Sequence, residues 1–167
     1  MIKYGLILMA FVAGCSGLNS VSIVPPEQPA KPKPDKVDHT TLAATLEENK
    51  LKWQANKATN YSFNFQRSCF CERDYTRKAV VQVAEGVIVA ASYADDGTVV
   101  DMKLKDRYHT IEELFALLAR AVAAGAAQID VEFDTILGYP TSLYIDQDRR
   151  IGDDEQWIVA SDVLLNS

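Results

Sequence analysis

The residues best suited to chemistry are Cys69 and Cys71, one residue apart. Thiols attack disulfides, bind soft metals or pair with each other, and their spacing and surroundings decide which. In an extended strand, residues i and i+2 lie about 6.5–7 Å apart at Cα, and a disulfide spans about 4.4–6.8 Å. A Cys69–Cys71 bond therefore requires the backbone at Phe70 to bend out of a regular strand. The ring is small, so its entropic contribution to stability is under about 2 kcal/mol. Three other readings stay open. A soft metal such as Cu(I) would want further soft ligands, and outside the leader only Met102, His39 and His109 remain. A redox catalyst would more typically show Cys-x-x-Cys at a helix start, whereas this pair follows a strand pattern. The thiols could also be free or bonded between chains. The pairing of Cys69 with Cys71 is the leading expectation.

The second cluster is Asp146-Gln147-Asp148 followed by Asp153-Asp154-Glu155. Carboxylates this dense can hold Ca²⁺, but the spacing departs from the EF-hand loop, and Arg149 and Arg150 sit among them. A solvated hairpin loop is the simpler expectation. His109 precedes Thr110-Ile111-Glu112-Glu113, a Thr-x-x-Glu capping box, and reads as a helix-entry residue. Glu112 and Glu113 then read as favourable charges at a helix N-terminus, not as an acid/base pair. No serine lies in a Gly-x-Ser-x-Gly elbow. With no catalytic constellation, the expectation is a non-enzyme without a cofactor or metal site.

The elements that must hold these residues follow from periodicity. Ile111, Leu114, Phe115, Leu118, Ala121 and Val122 form one helical face, and Gly125 supplies a C-terminal stop. A thinner stripe of Leu42, Leu46 and Trp53 predicts an earlier helix from about Thr41 to Lys57. Tyr61, Phe63 and Phe65 alternate with polar residues, as do Ile129, Val131 and Phe133. Ala79–Val83 and Val87–Tyr93 read as a hairpin about Glu85-Gly86, and Thr98–Met102, Leu143–Asp146 and Gln156–Ser161 as further strands. Gly138-Tyr139-Pro140 reads as the turn that sets the register between the strands on either side of it. A shift of 68 residues lays Leu46 on Leu114, Tyr61 on Ile129, Phe63 on Val131 and Phe65 on Phe133. The fold class is therefore α+β: two helices on an antiparallel sheet, either as a pseudo-duplicated α-β-β-β unit or without duplication.

The first 38 residues read differently. Lys3 and an uncharged run from Leu6 to Ala13 have the form of a bacterial export signal, and the run is shorter than a membrane span. Val12-Ala13-Gly14-Cys15 resembles the lipobox of bacterial lipoproteins. That resemblance implies a signal peptide over 1–14, diacylglycerol on the Cys15 sulfur, and cleavage and acylation at the new N-terminus. Several acyl chains hold a protein stably to a membrane without a spanning helix. Ser16 rather than Asp after Cys15 implies, for a Gram-negative cell, passage to the outer membrane. Residues 15–38 then form the lipidated Cys and a tether holding five of the chain's six prolines, a semi-rigid spacer. Residues 39–167 form one domain. Without residues 1–14 the chain carries 16 basic against 23 acidic residues, a net of -7. That balance argues against nucleic acid and leaves attachment to the lipid.

Several stretches together carry a resemblance. They are Asn60-Tyr61-Ser62-Phe63 and Arg67-Ser68-Cys69-Phe70-Cys71, then Tyr108 to Phe115, Val131 to Pro140, Tyr144-Ile145-Asp146 and Asp153-Asp154-Glu155. The chain resembles, over about residues 41–163, an uncharacterised family of bacterial lipoproteins labelled domain of unknown function 6174. The resemblance implies an envelope lipoprotein and no established activity, so it carries over no catalytic residues. The expected role is a lipid-anchored envelope module that binds a protein or surface partner. The alternatives are a thiol-dependent redox or soft-metal role through Cys69 and Cys71, and inhibition of a secreted hydrolase.

Overall fold

The computed structural model describes residues 38–69, 71–151 and 155–166. The leader, Cys15, the tether, Phe70, Asp153 and Asp154 lie outside them, and with them the expectations of an anchor and of a bend at Phe70. The chain order is α1 (His39–Ala55), β1 (Tyr61–Ser68), α2 (Arg73–Thr76), β2 (Ala79–Ala84), β3 (Val87–Tyr93), a 3-10 helix (Met102–Arg107), α3 (Ile111–Ala124), β4 (Gln128–Phe133), β5 (Pro140–Asp146) and β6 (Gln156–Leu165). The six strands form one antiparallel sheet in the order β3-β2-β1-β6-β5-β4. An α+β fold with two long helices on an antiparallel sheet is the result.

Alternation decides which face is covered. Tyr61, Phe63 and Phe65 of β1 pair with Val83, Val81 and Ala79 of β2. Leu143 of β5 pairs with Ile158 of β6, and Ile129 of β4 with Ile145. All of these are buried and join Leu46 and Trp53 of α1 and Leu114, Phe115 and Leu118 of α3 in one core. Burying side chains of this size is worth about 1.5–3 kcal/mol each, which is what fixes the strand register.

Each helix has a chemical start and stop. Thr110 accepts from the Glu113 N–H at 3.2 Å, and the Glu113 carboxylate accepts from the Thr110 N–H at 2.8 Å, completing the capping box. Gly125 ends α3 in the left-handed conformation at φ 68°. Asp38 caps α1 by accepting from the N–H of Thr40 and Thr41 and from the Thr41 hydroxyl.

The second half runs α3-β4-β5-β6; the first follows that order only with α2 inserted between β1 and β2, and the two halves are arranged differently. β1 opens the first half at the sheet centre, whereas β4 opens the second half at the sheet edge. Three local expectations need correction. Thr98–Met102 is not a strand: only Val99 bridges, to Ser92, and the 3-10 helix begins at Met102. The turn after β4 runs through Asp134–Tyr139, and Pro140 already pairs with Phe133 as part of β5. There Asp134 Oδ1 accepts from the N–H of Ile136 and Leu137, doing the work that the sequence reading gave to Pro140. β6 runs on to Leu165, past a register shift against β1 and a positive φ of 55° at Asp162.

Candidate binding cleft and the disulfide-bearing strand end

The start of α3 is where the two helices and the central strand meet. The Trp53 indole N–H donates to Glu112 Oε1 at 2.8 Å, and the Tyr61 hydroxyl donates to Glu112 Oε2 at 2.6 Å. The Tyr61 oxygen in turn accepts from the Ile111 N–H at 3.0 Å, at the first turn of α3. Burial, then the neighbouring Glu112 carboxylate, pushes the Tyr61 phenol well above its ordinary value, so it stays a donor. The two acids at this helix start thus divide their work. Glu113 completes the cap, and Glu112 joins α1, β1 and α3.

Beyond Phe65 the inward face of β1 carries a cation, Arg67. Its Nη2 lies 2.9 Å from His109 Nε2, and its guanidinium carbon lies 5.9 Å from the centre of the Phe65 ring. A guanidinium only donates, so His109 Nε2 must accept, which places the ring proton on Nδ1. That nitrogen faces Glu113 Oε2 at 3.9 Å. Burial and then the Arg67 charge hold His109 below its ordinary value, against the opposing pull of Glu113. The imidazole is thereby kept neutral. The buried Arg67 Nε has no hydrogen-bond partner among the described residues.

His109 also lines a cleft of about 320 Å³. One wall is Gly86, Val87 and Ile88 at the start of β3; the other is Lys105 and Asp106 of the 3-10 helix, with Tyr108, Thr110 and Glu113. The polar groups of the inner wall are engaged by the fold. His109 accepts from Arg67, and Glu113 and Thr110 serve the cap. At Nε2, His109 has no lone pair to offer as a base while Arg67 holds it.

Cys69 and Cys71 stand just past the end of β1 and are joined in the structure by a disulfide, with Cα atoms 5.3 Å apart. Cys71 is exposed and Cys69 half-buried. Among the described residues no group of three or more His, Cys, Asp or Glu is placed to hold a metal ion. In the acidic β5–β6 connection, Asp148 accepts from Arg150 at 2.6 Å and from the Arg150 N–H at 3.1 Å. This pair makes the local turn that a solvated loop would need.

The sequence reading singled out His109, Glu112, Glu113 and the two cysteines but passed over Arg67 and Tyr61 as site residues. A signal was present. In the alternation Tyr61-Phe63-Phe65-Arg67 the last inward position is a charge, and an inward charge needs a partner. Among the described residues no helix is long and apolar enough to cross a membrane. No curated protein and no solved structure matches the chain. The sequence profile of one family does match, over residues 45–164, which takes in α3 and its cap, Arg67, the cysteine pair and all six strands to within a residue. The chain belongs to that family, a family of unknown function, DUF6174.

Proposed function

We propose that this protein is a lipid-anchored bacterial envelope protein whose domain is a non-enzymatic binding module. The observation that carries the binding role is the cleft beside β3. Its His109 is held by Arg67, and its Thr110 and Glu113 by the α3 cap, so the inner wall is a pre-formed surface, which supports a binding role. The anchor rests on Val12-Ala13-Gly14-Cys15 after a short apolar run, and Ser16 favours the outer membrane, with the domain facing the periplasm. The proline-rich stretch then acts as a spacer that gives the domain reach.

Two measurements test this reading. Replacing Cys15 by Ala should move the protein from washed membranes into the soluble envelope fraction; wash-resistant association would sink the anchor. Photo-crosslinking in cells from probes set around the domain should yield a specific envelope protein; no adduct at any position would sink the binding role. Inhibition of a secreted hydrolase would show itself as that partner's identity.

A second reading, a thiol-dependent role, draws support from the exposed position of Cys71 at the end of β1. Alkylation separates it from the first. The exported protein should take up no alkyl group before reduction and two after it. Uptake at both cysteines without reductant would favour a metal or free-thiol role.

A further inference from the structure

Arg67 is the one basic residue in the six strands. An inward cation is ordinarily met by a carboxylate, which stays charged through the neutral range. Arg67 is met otherwise. Among the described residues its guanidinium has one hydrogen-bond acceptor, His109 Nε2 at 2.9 Å, and its buried Nε has none. None of the ion pairs among the described residues includes it. Imidazole is the side chain that changes charge between about pH 5 and 8, so the partner of this cation is itself a proton acceptor. The ring stands between two elements. On the β1 side it meets Arg67 and the Phe65 ring, 6.1 Å between centres. On the α3 side its Nδ1 faces Glu113 Oε2 at 3.9 Å, and that same oxygen accepts from the Thr110 N–H at 2.8 Å in the capping box. Arg120 of α3 adds a further positive charge, and Lys105 and Asp106 of the 3-10 helix line the cleft with the ring. β3 brings only the uncharged Gly86, Val87 and Ile88 to that cleft, and α2 brings the Tyr75 phenol near Arg67. Glu112 is taken up by Trp53 of α1 and Tyr61 of β1.

From this we infer that Arg67, His109 and Glu113 form an acid-operated latch on the first turn of α3. When His109 takes a proton from solvent at Nε2, the ring and the guanidinium become two cations whose N–H groups face each other at hydrogen-bond distance. The ring leaves Arg67, and its Nδ1–H closes on Glu113 Oε2. That draws the carboxylate away from the Thr110 N–H and opens the cap. Three features give the movement its direction. Arg67 has no second acceptor among the described residues, so the lost contact is not exchanged for another within the fold. The ring lies on the wall of a cleft of about 320 Å³, and the Glu113 side chain is 58% exposed, so both have water to move into. Water entering from the cleft then meets the vacated side of Arg67. The opening stays local, because the bonds of Tyr61 to Glu112 and to the Ile111 N–H do not pass through the ring. Burial and the Arg67 charge favour the neutral ring, so the latch is closed near neutral pH and acid releases it. The inference goes beyond the binding-module reading and needs no partner: it gives the inner wall of the cleft a neutral form and an acid form.

The test is amide hydrogen exchange read by NMR on the full chain in detergent micelles, between pH 7.5 and pH 5, alongside the titration of the His109 ring. Rates are corrected for the intrinsic pH dependence of exchange. The chain has two histidines, so His39→Gln assigns the His109 signals. As the ring takes up its proton, protection of the Thr110 N–H should fall at least tenfold, while Phe63 and Phe65 in the core keep theirs. His109→Gln gives Arg67 a carbonyl acceptor that does not titrate, and should hold Thr110 protection within about twofold over the same range. Glu113→Gln keeps a carbonyl for the cap but removes the charge to which the ring turns, and should cut the fall to under about threefold. A ring still neutral at pH 5, a Thr110 amide still protected once the ring is charged, or a fall as large in His109→Gln as in the parent would overturn the latch. Should His109→Gln fail to fold, Glu113→Gln decides alone, and an undiminished fall there overturns it equally.

Discussion

The two edges of the sheet are finished in different ways. β4 is buttressed: its Phe133 ring stacks on Phe115 of α3 at 6.2 Å, and Asp130 and Glu132 alternate along it. The turn that follows is pressed against α1, where a Cβ at Gly138 would stand 2.5 Å from the Asn49 carbonyl oxygen. β3 is finished with irregular chain instead: Thr98–Val100 lies along its C-terminal half, the 3-10 helix packs against it, and its pairing with β2 is broken by a register shift between Ala90 and Ile88. The β4 side is thus tied into the core through α1 and α3, whereas the β3 side is covered by irregular chain. Substitutions on the first should cost the more folding free energy.

The largest effect is expected at Gly138. Its φ is +79°, and an added Cβ would also meet Lys52 Cβ at 2.7 Å. Both the backbone conformation and the close approach to α1 require glycine there. Gly138→Val should destabilise by about 3 kcal/mol or more, since strain and overpacking act together. Thermal unfolding followed by circular dichroism reads this directly, with a fall of about 10 °C or more for a domain of this size. A melting point within 2 °C of the parent would mean that α1 and the β4–β5 turn are not locked together.

Next in size is Glu112, which lies between the two edges. Glu112→Ala leaves the Trp53 indole N–H and the Tyr61 hydroxyl without their acceptor, at a cost of about 2 kcal/mol. Glu112→Gln keeps one carbonyl acceptor and should lose about half of that. Urea unfolding midpoints of the two variants check the order. If Ala and Gln cost the same, the carboxylate is not what joins the three elements.

Much of this arrangement was legible in the residues. The capping box of α3, the alternation of β1 and β4 and the hairpin at Glu85-Gly86 all follow from spacing, because a half-buried element writes its period into the chain. α1 was harder. Only Leu46, Asn49 and Trp53 are buried, so its stripe is thin, and it is held by specific contacts at Glu112 and Gly138 that are 59 and 85 or more residues distant. Such contacts leave no local pattern. The strand expected at Thr98–Met102 shrank to one bridge because Asp101 accepts from the Lys103 N–H and starts the 3-10 helix instead. The cleft was not legible at all. It arises between β3 and a helix start some twenty residues later, and its only trace in sequence was an edge strand without a charge. The cysteine pair was visible as a motif, but the sequence alone left its state open.

The disulfide should matter less than either of the first two sites. Its loop holds three residues, so it removes little entropy from the unfolded chain, and it sits beyond the end of β1. Replacing both Cys69 and Cys71 by Ser should lower stability by about 1–2 kcal/mol. Denaturant titration of the oxidised parent against the double variant measures the difference. A loss as large as that of Gly138→Val would mean that the strand end contributes to the core, and the division of labour between the two edges would need to be redrawn.

The smallest expected effect belongs to His109, on the wall of the cleft beside β3, and it appears as a slope with pH. Burial and the Arg67 charge favour the neutral ring in the folded protein, so its pKa lies below the ordinary value of 6.5. The unfolded chain therefore takes up this proton more readily than the folded one. The contribution is fully present above about pH 6.5 and is lost as pH falls through the lower, folded value. The exposed carboxylates of Asp95 and Asp96, held below their ordinary values chiefly by Arg77 at the first and by Thr98 at the second, act in a separate and more acidic window. His109→Gln offers Arg67 an acceptor that does not titrate. The parent should lose stability between pH 7 and pH 5, and the Gln variant should lose less over the same interval while matching the parent near pH 7.5. Unfolding midpoints at four pH values suffice. Parallel slopes for the two proteins would show that the imidazole is not held neutral by Arg67. The wall of the cleft would then lack the fixed geometry that the Arg67–His109 contact gives it.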